Sequence, residues 1–151
     1  IRHLMRVEFA RATRYDYPLT CLMIGVDRLS TLRDRAGYDA KESALVEVIK
    51  LLRLHTRGCD ALGRLVDERL LAILPHTPYD GALVCAKRLV ELAAQARPPG
   101  AGAITLSVGI AERTKDLPYF DQMLDLAEAA LERALAQGGN RIERALPEAA
   151  R

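Results

Sequence analysis

Two groups of charged residues between positions 57 and 70 have the types and spacing to bind a ligand. Arg57 and Asp60 stand three residues apart, just after a predicted helix. An arginine fork can donate to the O6 and N7 acceptors of guanine, and a carboxylate can accept from its N1–H and N2–H₂ donors. The pair could therefore read one base, or it could be a surface ion pair of little energetic value.

The second group is the corner Val66-Asp67-Glu68, which connects two predicted strands. The strand after it, Leu70–Leu74, is fully apolar, and Pro75 ends it because proline cannot donate to a ladder. Tight hairpins favour Asn-Gly, Asp-Gly or Gly-Gly, since their turns require positive φ, which the β-branched Val66 resists. We therefore predict that this turn is wider than an ordinary two-residue turn.

The order of hydrophobic patterns around these groups predicts an α+β fold. Apolar stripes of helical period indicate five helices, and short apolar runs indicate strands. The predicted order is α-β-α-α-β-β-α-β-α-β, with one hairpin, which favours a mixed, largely antiparallel sheet of about five strands flanked by helices. Asp27 is predicted to cap the second helix. The predicted helices are Arg2–Arg14, Arg28–Ala36, one ending near Thr56, Tyr79–Gln95 and Phe120–Gln137, and the longer strands are Leu19–Val26, Leu70–Leu74 and Ile104–Ala111.

Several motifs within these predicted elements resemble those of the GGDEF domain, the diguanylate cyclase module of bacterial signalling. Residues 14–27 follow the family pattern RYxxPLTxLMIDID, and residues 104–111 follow ITxSVGIA. Val66-Asp67-Glu68-Arg69-Leu70 lies where the family has its GGDEF pentapeptide, and Arg57-Gly58-Cys59-Asp60 matches the family's RxxD inhibitory-site motif. The resemblance implies a nucleotidyl-cyclase/polymerase-palm-like fold over residues 1–145, with residues 146–151 as a tail or linker.

The chain departs from the family at positions that the resemblance assigns to catalysis. Gly25 replaces an aspartate that binds metal, Leu135 replaces a lysine that faces phosphate, and Arg69 replaces an acidic residue of the pentapeptide. A cation at a metal site repels the metals it should hold. We therefore expect a degenerate domain that is not an enzyme and holds no metal, and we expect Arg69 to pair with a nearby acid such as Asp27 or Glu68. An alternative is that Asp67 and Glu68 hold one ion in a shifted register.

What remains of the motifs predicts a ligand-binding role. The RxxD residues are intact, and Arg88 occupies the position of a second family arginine, on the solvent face of its helix. The resemblance implies a non-catalytic receptor domain that binds cyclic di-GMP through Arg57, Asp60 and Arg88, with no other cofactor. The alternative is a dimerisation or interaction scaffold that binds no nucleotide.

Composition limits the partners and the location. The chain has 151 residues and a net charge of +2, too small to indicate DNA or RNA binding by phosphate neutralisation. It contains neither an apolar run of membrane-spanning length nor a signal peptide, and its three cysteines are expected to be reduced. We expect a cytoplasmic domain cut from a longer signalling protein, with attachment of that protein to a membrane as an alternative left open. Its expected partners are cyclic di-GMP, the other domains of that protein and a homodimer partner.

Overall fold

The computed structural model describes residues 1–98, 100 and 102–146, and within them a five-stranded sheet carries helices on both faces. The predicted order of elements is confirmed. The helices are α1 (Arg2–Tyr15), α2 (Leu29–Ala36), α3 (Tyr38–Leu54), α4 (Tyr79–Gln95) and α5 (Phe120–Ala136). The strands are β1 (Leu19–Val26), β2 (Ala61–Arg64), β3 (Leu70–Pro75), β4 (Leu106–Glu112) and β5 (Ile142–Arg144).

The sheet has the strand order β2-β3-β1-β4-β5, and β1 lies at its centre. β1 pairs antiparallel with both β3 and β4, β2 pairs antiparallel with β3, and β5 runs parallel to β4. All eight residues of β1 are buried, as expected for a strand covered on both faces. The sheet is therefore mixed and largely antiparallel, as the sequence predicts.

Alternating residues of the sheet face two separate hydrophobic cores. One face packs against α2, α3 and α4 and includes Leu22, Leu70 and Val108. The other packs against α1 and α5 and includes Cys21, Leu71 and Ala111. At Gly109 a Cβ atom would lie 2.2 Å from the Ala127 carbonyl oxygen, so the absence of a side chain is what allows α5 to approach β4 closely.

Some predicted boundaries differ from the structure. The second helix begins at Leu29 after a left-handed Arg28, and Asp27 does not cap it, so that prediction is wrong. Of the predicted loop 98–102 and tail 146–151, residues 99, 101 and 147–151 lie outside the described residues. Among the described helices, none has the length and apolar character required to cross a membrane.

Candidate functional site

The turn between β2 and β3 places the pentapeptide residues 66–70 at one end of the sheet. Arg64 and Leu70 are the last paired residues, and the five residues 65–69 form the connection. Val66–Glu68 makes a single 3₁₀ turn, and the backbone N–H of Leu65 donates to the Arg69 carbonyl across 2.7 Å. Asp67 and Glu68 both have left-handed backbones, with φ of 60° and 62°. The prediction of a turn wider than two residues is confirmed. The positive φ values occur at the two residues that follow Val66, and not at Val66 itself.

Arg69 pairs with acids that are distant in sequence. Its Nε donates to Glu128 across 3.1 Å and its Nη2 to Glu132 across 2.8 Å. The prediction that Arg69 pairs with an acid is confirmed, but the two acids that it named, Asp27 and Glu68, are not its partners. The physical reason is strand alternation: Arg69 lies on the same side as Leu71, which faces α5. Glu128 and Glu132 are one helical turn apart on α5, so both can reach it.

Asp27 ties together three segments at this end of the sheet. Its carboxylate accepts hydrogen bonds from the hydroxyls of Thr105 at 2.6 Å and Ser107 at 2.7 Å. It also accepts one from the backbone N–H of Asn140 at 2.9 Å. These bonds join the end of β1 to β4 and to the turn after α5. They explain why the Asp27 side chain is not available to cap α2.

These residues surround a cavity of about 330 Å³. It lies between the end of β1, the start of α2, the β2–β3 turn and the glycines that follow α5. Gly25 forms part of its wall, and the Arg69 guanidinium lies 3.5 Å from the point that a Cβ of Gly25 would occupy. Other residues of the wall are Asp27, Ser30, Asp67, Glu68, Leu135 and Gly139.

Sequence reasoning missed Lys41, which lies at the same end of the sheet and pairs with Glu68. Its side chain is only 5 % exposed. A signal for this was available, because position 41 falls on the buried stripe of α3 with Leu45, Val48 and Leu52. A lysine at such a position must find a carboxylate partner, since an unpaired buried charge is strongly unfavourable.

A second cluster, formed by Arg57 and its neighbours, lies at the opposite end of β3. Arg57 Nη2 donates to Asp60 and to the Pro75 carbonyl, each at 3.3 Å, and also to the Thr77 hydroxyl. The Asp60 carboxylate in turn accepts from the Arg57 backbone N–H at 2.9 Å. Its proximity raises the pKa of the Arg57 guanidinium. The Arg57 side chain is 58 % exposed, whereas that of Asp60 is 3 % exposed.

Arg88 lies on the exposed side of α4, as the helical period predicts. Arg57, Asp60 and Arg88 line one cavity of about 370 Å³, together with Thr77, Gly81 and Cys85. Burial raises the pKa of the Cys85 thiol, so the Cys85 side chain that lines this cavity is neutral at physiological pH. The cavity therefore combines two arginines with the carboxylate of Asp60, which is already hydrogen-bonded to Arg57.

Comparisons with known proteins show what this arrangement is similar to. Residues 1–141 match the family model described as diguanylate cyclase, GGDEF domain. The chain is 30% identical over 142 residues to the protein named Probable diguanylate cyclase DgcC of Escherichia coli K12. That match covers 93% of this chain and 38% of the relative, so the chain spans well under half of that protein's length.

Solved structures share the fold. The active GGEEF domain of a diguanylate cyclase from Vibrio cholerae superimposes with a TM-score of 0.89 at 23% identity, covering 95% of this chain and 93% of that one. The GGDEF domain of DgcB from Caulobacter crescentus, solved in complex with c-di-GMP, has a TM-score of 0.89 at 18% identity. That match covers 95% of this chain and 87% of the other.

These relatives contradict the prediction that the chain is not an enzyme, because the family and the curated proteins it matches are named diguanylate cyclases. The prediction rested on Gly25, Leu135 and Arg69 together, and it treated Arg69 as a cation that repels metal ions. In the structure its guanidinium lies between the carboxylates of Glu128 and Glu132. The local charge is therefore not positive, and the substitutions at Val66–Leu70 do not by themselves decide activity.

Proposed function

Since the chain belongs to the GGDEF domain family of diguanylate cyclases, we propose that it binds cyclic di-GMP in the cavity lined by Arg57, Asp60 and Arg88. The observation that carries the proposal is the convergence of these three residues on one cavity of about 370 Å³. Two of them come from the end of the α3–β2 connection and one from α4. The two arginine side chains supply the donors that guanine and phosphate acceptors require.

Arg57 is the principal ligand contact in this proposal. Its guanidinium is held in place by Asp60, Pro75 and Thr77, while more than half of the side chain is exposed to solvent. Thr77 is itself fixed, because the Thr20 hydroxyl donates to its carbonyl across 2.7 Å. A guanidinium that is ordered before binding loses less conformational entropy when it binds. Within the described residues its Nη1 has no hydrogen-bond partner, which leaves donors for a guanine or a phosphate.

Asp60 has a different role from Arg57. Because its carboxylate is almost fully buried and already bonded to Arg57, it acts mainly as a positioning residue that aims the guanidinium into the cavity. Arg88, on the exposed side of α4, supplies a second cation for the phosphates. This assignment predicts that loss of Asp60 weakens binding through Arg57 and not through a lost base contact.

Isothermal titration with cyclic di-GMP tests the proposal. Removing Arg57 leaves ligand acceptors unpaired and is expected to cost about 1.5–3 kcal/mol, which is tenfold or more in affinity. Arg35→Ala is the matched control, because Arg35 is exposed on α2, at the other end of β1. Cyclic di-AMP is the ligand control, because its adenine lacks the O6 acceptor.

Equal affinity of the wild type and Arg57→Ala would refute the assignment of the site. An absence of binding at micromolar ligand would refute the proposal as a whole. The nucleotide-free dimerisation scaffold would then take its place, and sedimentation analysis of the oligomeric state would test that alternative.

A second candidate function is synthesis of cyclic di-GMP from GTP, which the named relatives favour. The cavity of about 330 Å³ beside Asp27, Asp67 and Glu68 is the place in the structure where a triphosphate could enter. Incubation of the full-length protein with GTP and Mg²⁺ or Mn²⁺, followed by chromatography, tests it. Cyclic di-GMP in the product supports this function, and intact GTP refutes it without affecting the binding proposal.

A further inference from the structure

Lys41 is an unusual residue in the structure because its ammonium group lies in the interior beside two carboxylates. Its side chain is 5 % exposed. Nζ donates to the Glu68 carboxylate, lies 3.2 Å from Glu42 Oε1, and sits 4.5 Å from the centre of the Tyr38 ring. Glu68, and after it Glu42, raise the pKa of Lys41, so the group is positively charged at neutral pH.

Lys41 and its partners form a network of two cations and two anions. Arg64, on β2, donates to both oxygens of Glu42, across 3.2 and 3.3 Å. Arg64, and after it Lys41, lower the pKa of Glu42. The network therefore links the first turns of α3 to β2 and to the β2–β3 turn, and its four charges sum to zero.

Lys41 also determines the direction of the Glu68 side chain. Glu68 follows Asp67 in a turn where both residues have positive φ, a conformation that is costly for residues other than glycine. Such a conformation persists when surrounding contacts fix it. The bond from Lys41 is the one side-chain hydrogen bond to Glu68 in the described part of the chain. It therefore holds the Glu68 side chain within this turn, in addition to the bond from the Leu65 backbone N–H to the Arg69 carbonyl.

The bond between Lys41 and Glu68 also affects whether the β2–β3 turn can bind a divalent cation. Such a cation needs several converging oxygen ligands. Position 25 is a glycine, the Asp27 carboxylate accepts three hydrogen bonds, and Glu68 is held by Lys41. Across residues 1–98, 100 and 102–146, no group of three or more acidic, histidine or cysteine side chains is placed to hold a metal ion. The residues therefore do not fit a bound cation while Lys41 is paired with Glu68.

We propose that Lys41 is an internal cation of the β2–β3 turn, which holds the Glu68 carboxylate and competes with divalent cations for it. An external cation can use Glu68 only after the Lys41 ammonium has left it. Removing the Lys41 charge should therefore create a site that the unaltered protein lacks or presents only weakly. This proposal is independent of cyclic di-GMP binding, because the cavity lined by Arg57 is at the other end of β3.

The test is a titration of the nucleotide-free protein with Mn²⁺, in which the paramagnetic resonance signal of free Mn²⁺ measures binding. Lys41→Met is expected to bind Mn²⁺ at least about tenfold more tightly than the wild type, since a charge-assisted bond no longer competes. Lys50→Met is the matched control, because Lys50 lies on the same helix and is exposed, and among the described residues its ammonium pairs only with Glu47, at 3.5 Å. It should leave Mn²⁺ affinity unchanged. Adding Glu68→Gln to Lys41→Met should abolish the gain.

Equal Mn²⁺ affinity in the wild type and in folded Lys41→Met would overturn the proposal. So would a gain that survives Glu68→Gln. Lys41→Gln, which keeps a donor but no charge, replaces the methionine variant if that variant does not fold. A measurement that leaves Lys41 intact completes the test. The ammonium hydrogens of Lys41, detected through its ¹⁵Nζ resonance, should exchange slowly with water in the wild type and faster in Glu68→Gln. An unchanged exchange rate in Glu68→Gln would also overturn the proposal.

Discussion

Replacement of Asp27 by alanine is expected to destabilise the fold strongly, because one carboxylate serves three donors. The hydroxyls of Thr105 and Ser107 lie 2.6 and 2.7 Å away, and the Asn140 backbone N–H lies 2.9 Å away. A hydrogen bond to a charged group contributes about 1.5–3 kcal/mol, but the three share one acceptor and are not additive. Ser107 is fully buried, so its hydroxyl also loses solvation that water cannot restore.

We expect a loss of about 3 kcal/mol in the free energy of unfolding for Asp27→Ala. Thr105 and Asn140 are accessible enough for water to replace part of their bonds, which keeps the loss below the sum of three charged bonds. For a chain of this length, that loss corresponds to a decrease in Tm of roughly 6–12 °C. Asp27→Asn retains one acceptor oxygen and should lose about half as much.

Urea unfolding followed by circular dichroism measures these values, with Asp34→Ala as the control. Asp34 is 77% exposed and lies 3.8 Å from its nearest cationic partner, Arg33, so its removal should change stability by no more than about 0.5 kcal/mol. If Asp27→Ala and Asp34→Ala are equally stable, the three hydrogen bonds do not hold this end of the sheet. The assignment of Asp27 as the residue that joins β1, β4 and the turn after α5 would then be wrong.

Three further predictions follow from burial and charge. Gly109→Ala should destabilise the fold by about 1–3 kcal/mol in urea, because the new methyl group would meet the Ala127 carbonyl at 2.2 Å and α5 would have to shift; unchanged stability would contradict the close packing. Iodoacetamide at pH 8 should modify the exposed Cys59 and spare Cys21, since burial raises the pKa of the Cys21 thiol to about 12; mass spectrometry of peptides shows which thiol has reacted. Glu42→Gln should lower Tm at neutral pH and have little effect in acid: its folded pKa lies below the ordinary 4.5, so its stabilisation is present above that value and disappears as pH falls through the folded pKa. A difference in Tm that is the same at pH 7 and pH 3 would exclude that origin.

The order and type of the elements could be predicted because each depends on local patterns. The apolar run Leu19–Val26 has the length and composition of a buried strand, and the structure gives it those same bounds. The apolar stripe on α5, the end of α2 at Gly37 and the end of β3 at Pro75 likewise depend on residues that are close in sequence. The solvent-facing position of Arg88 follows from the helical period alone.

The pairing of charged side chains was decided by the tertiary structure. Arg69 finds Glu128 and Glu132 because strand alternation turns it toward α5, about sixty residues further along the chain. The sequence shows that an arginine replaces an acid, but not that two glutamates compensate its charge. The prediction that the chain is not an enzyme depended in part on that missing information, together with Gly25 and Leu135.

The same distinction explains Asp27 and Lys41. Local propensity favours an aspartate before a helix as its cap. In the folded sheet, however, the hydroxyls of Thr105 and Ser107 lie within hydrogen-bonding distance of the Asp27 carboxylate. Lys41 stands on an apolar stripe that the sequence displays, yet only the folding of the β2–β3 turn onto α3 supplies Glu68. Hydrophobic periodicity acts along one element and can be read from it, whereas an ion pair needs two elements to meet, and only the assembled sheet determines which ones do.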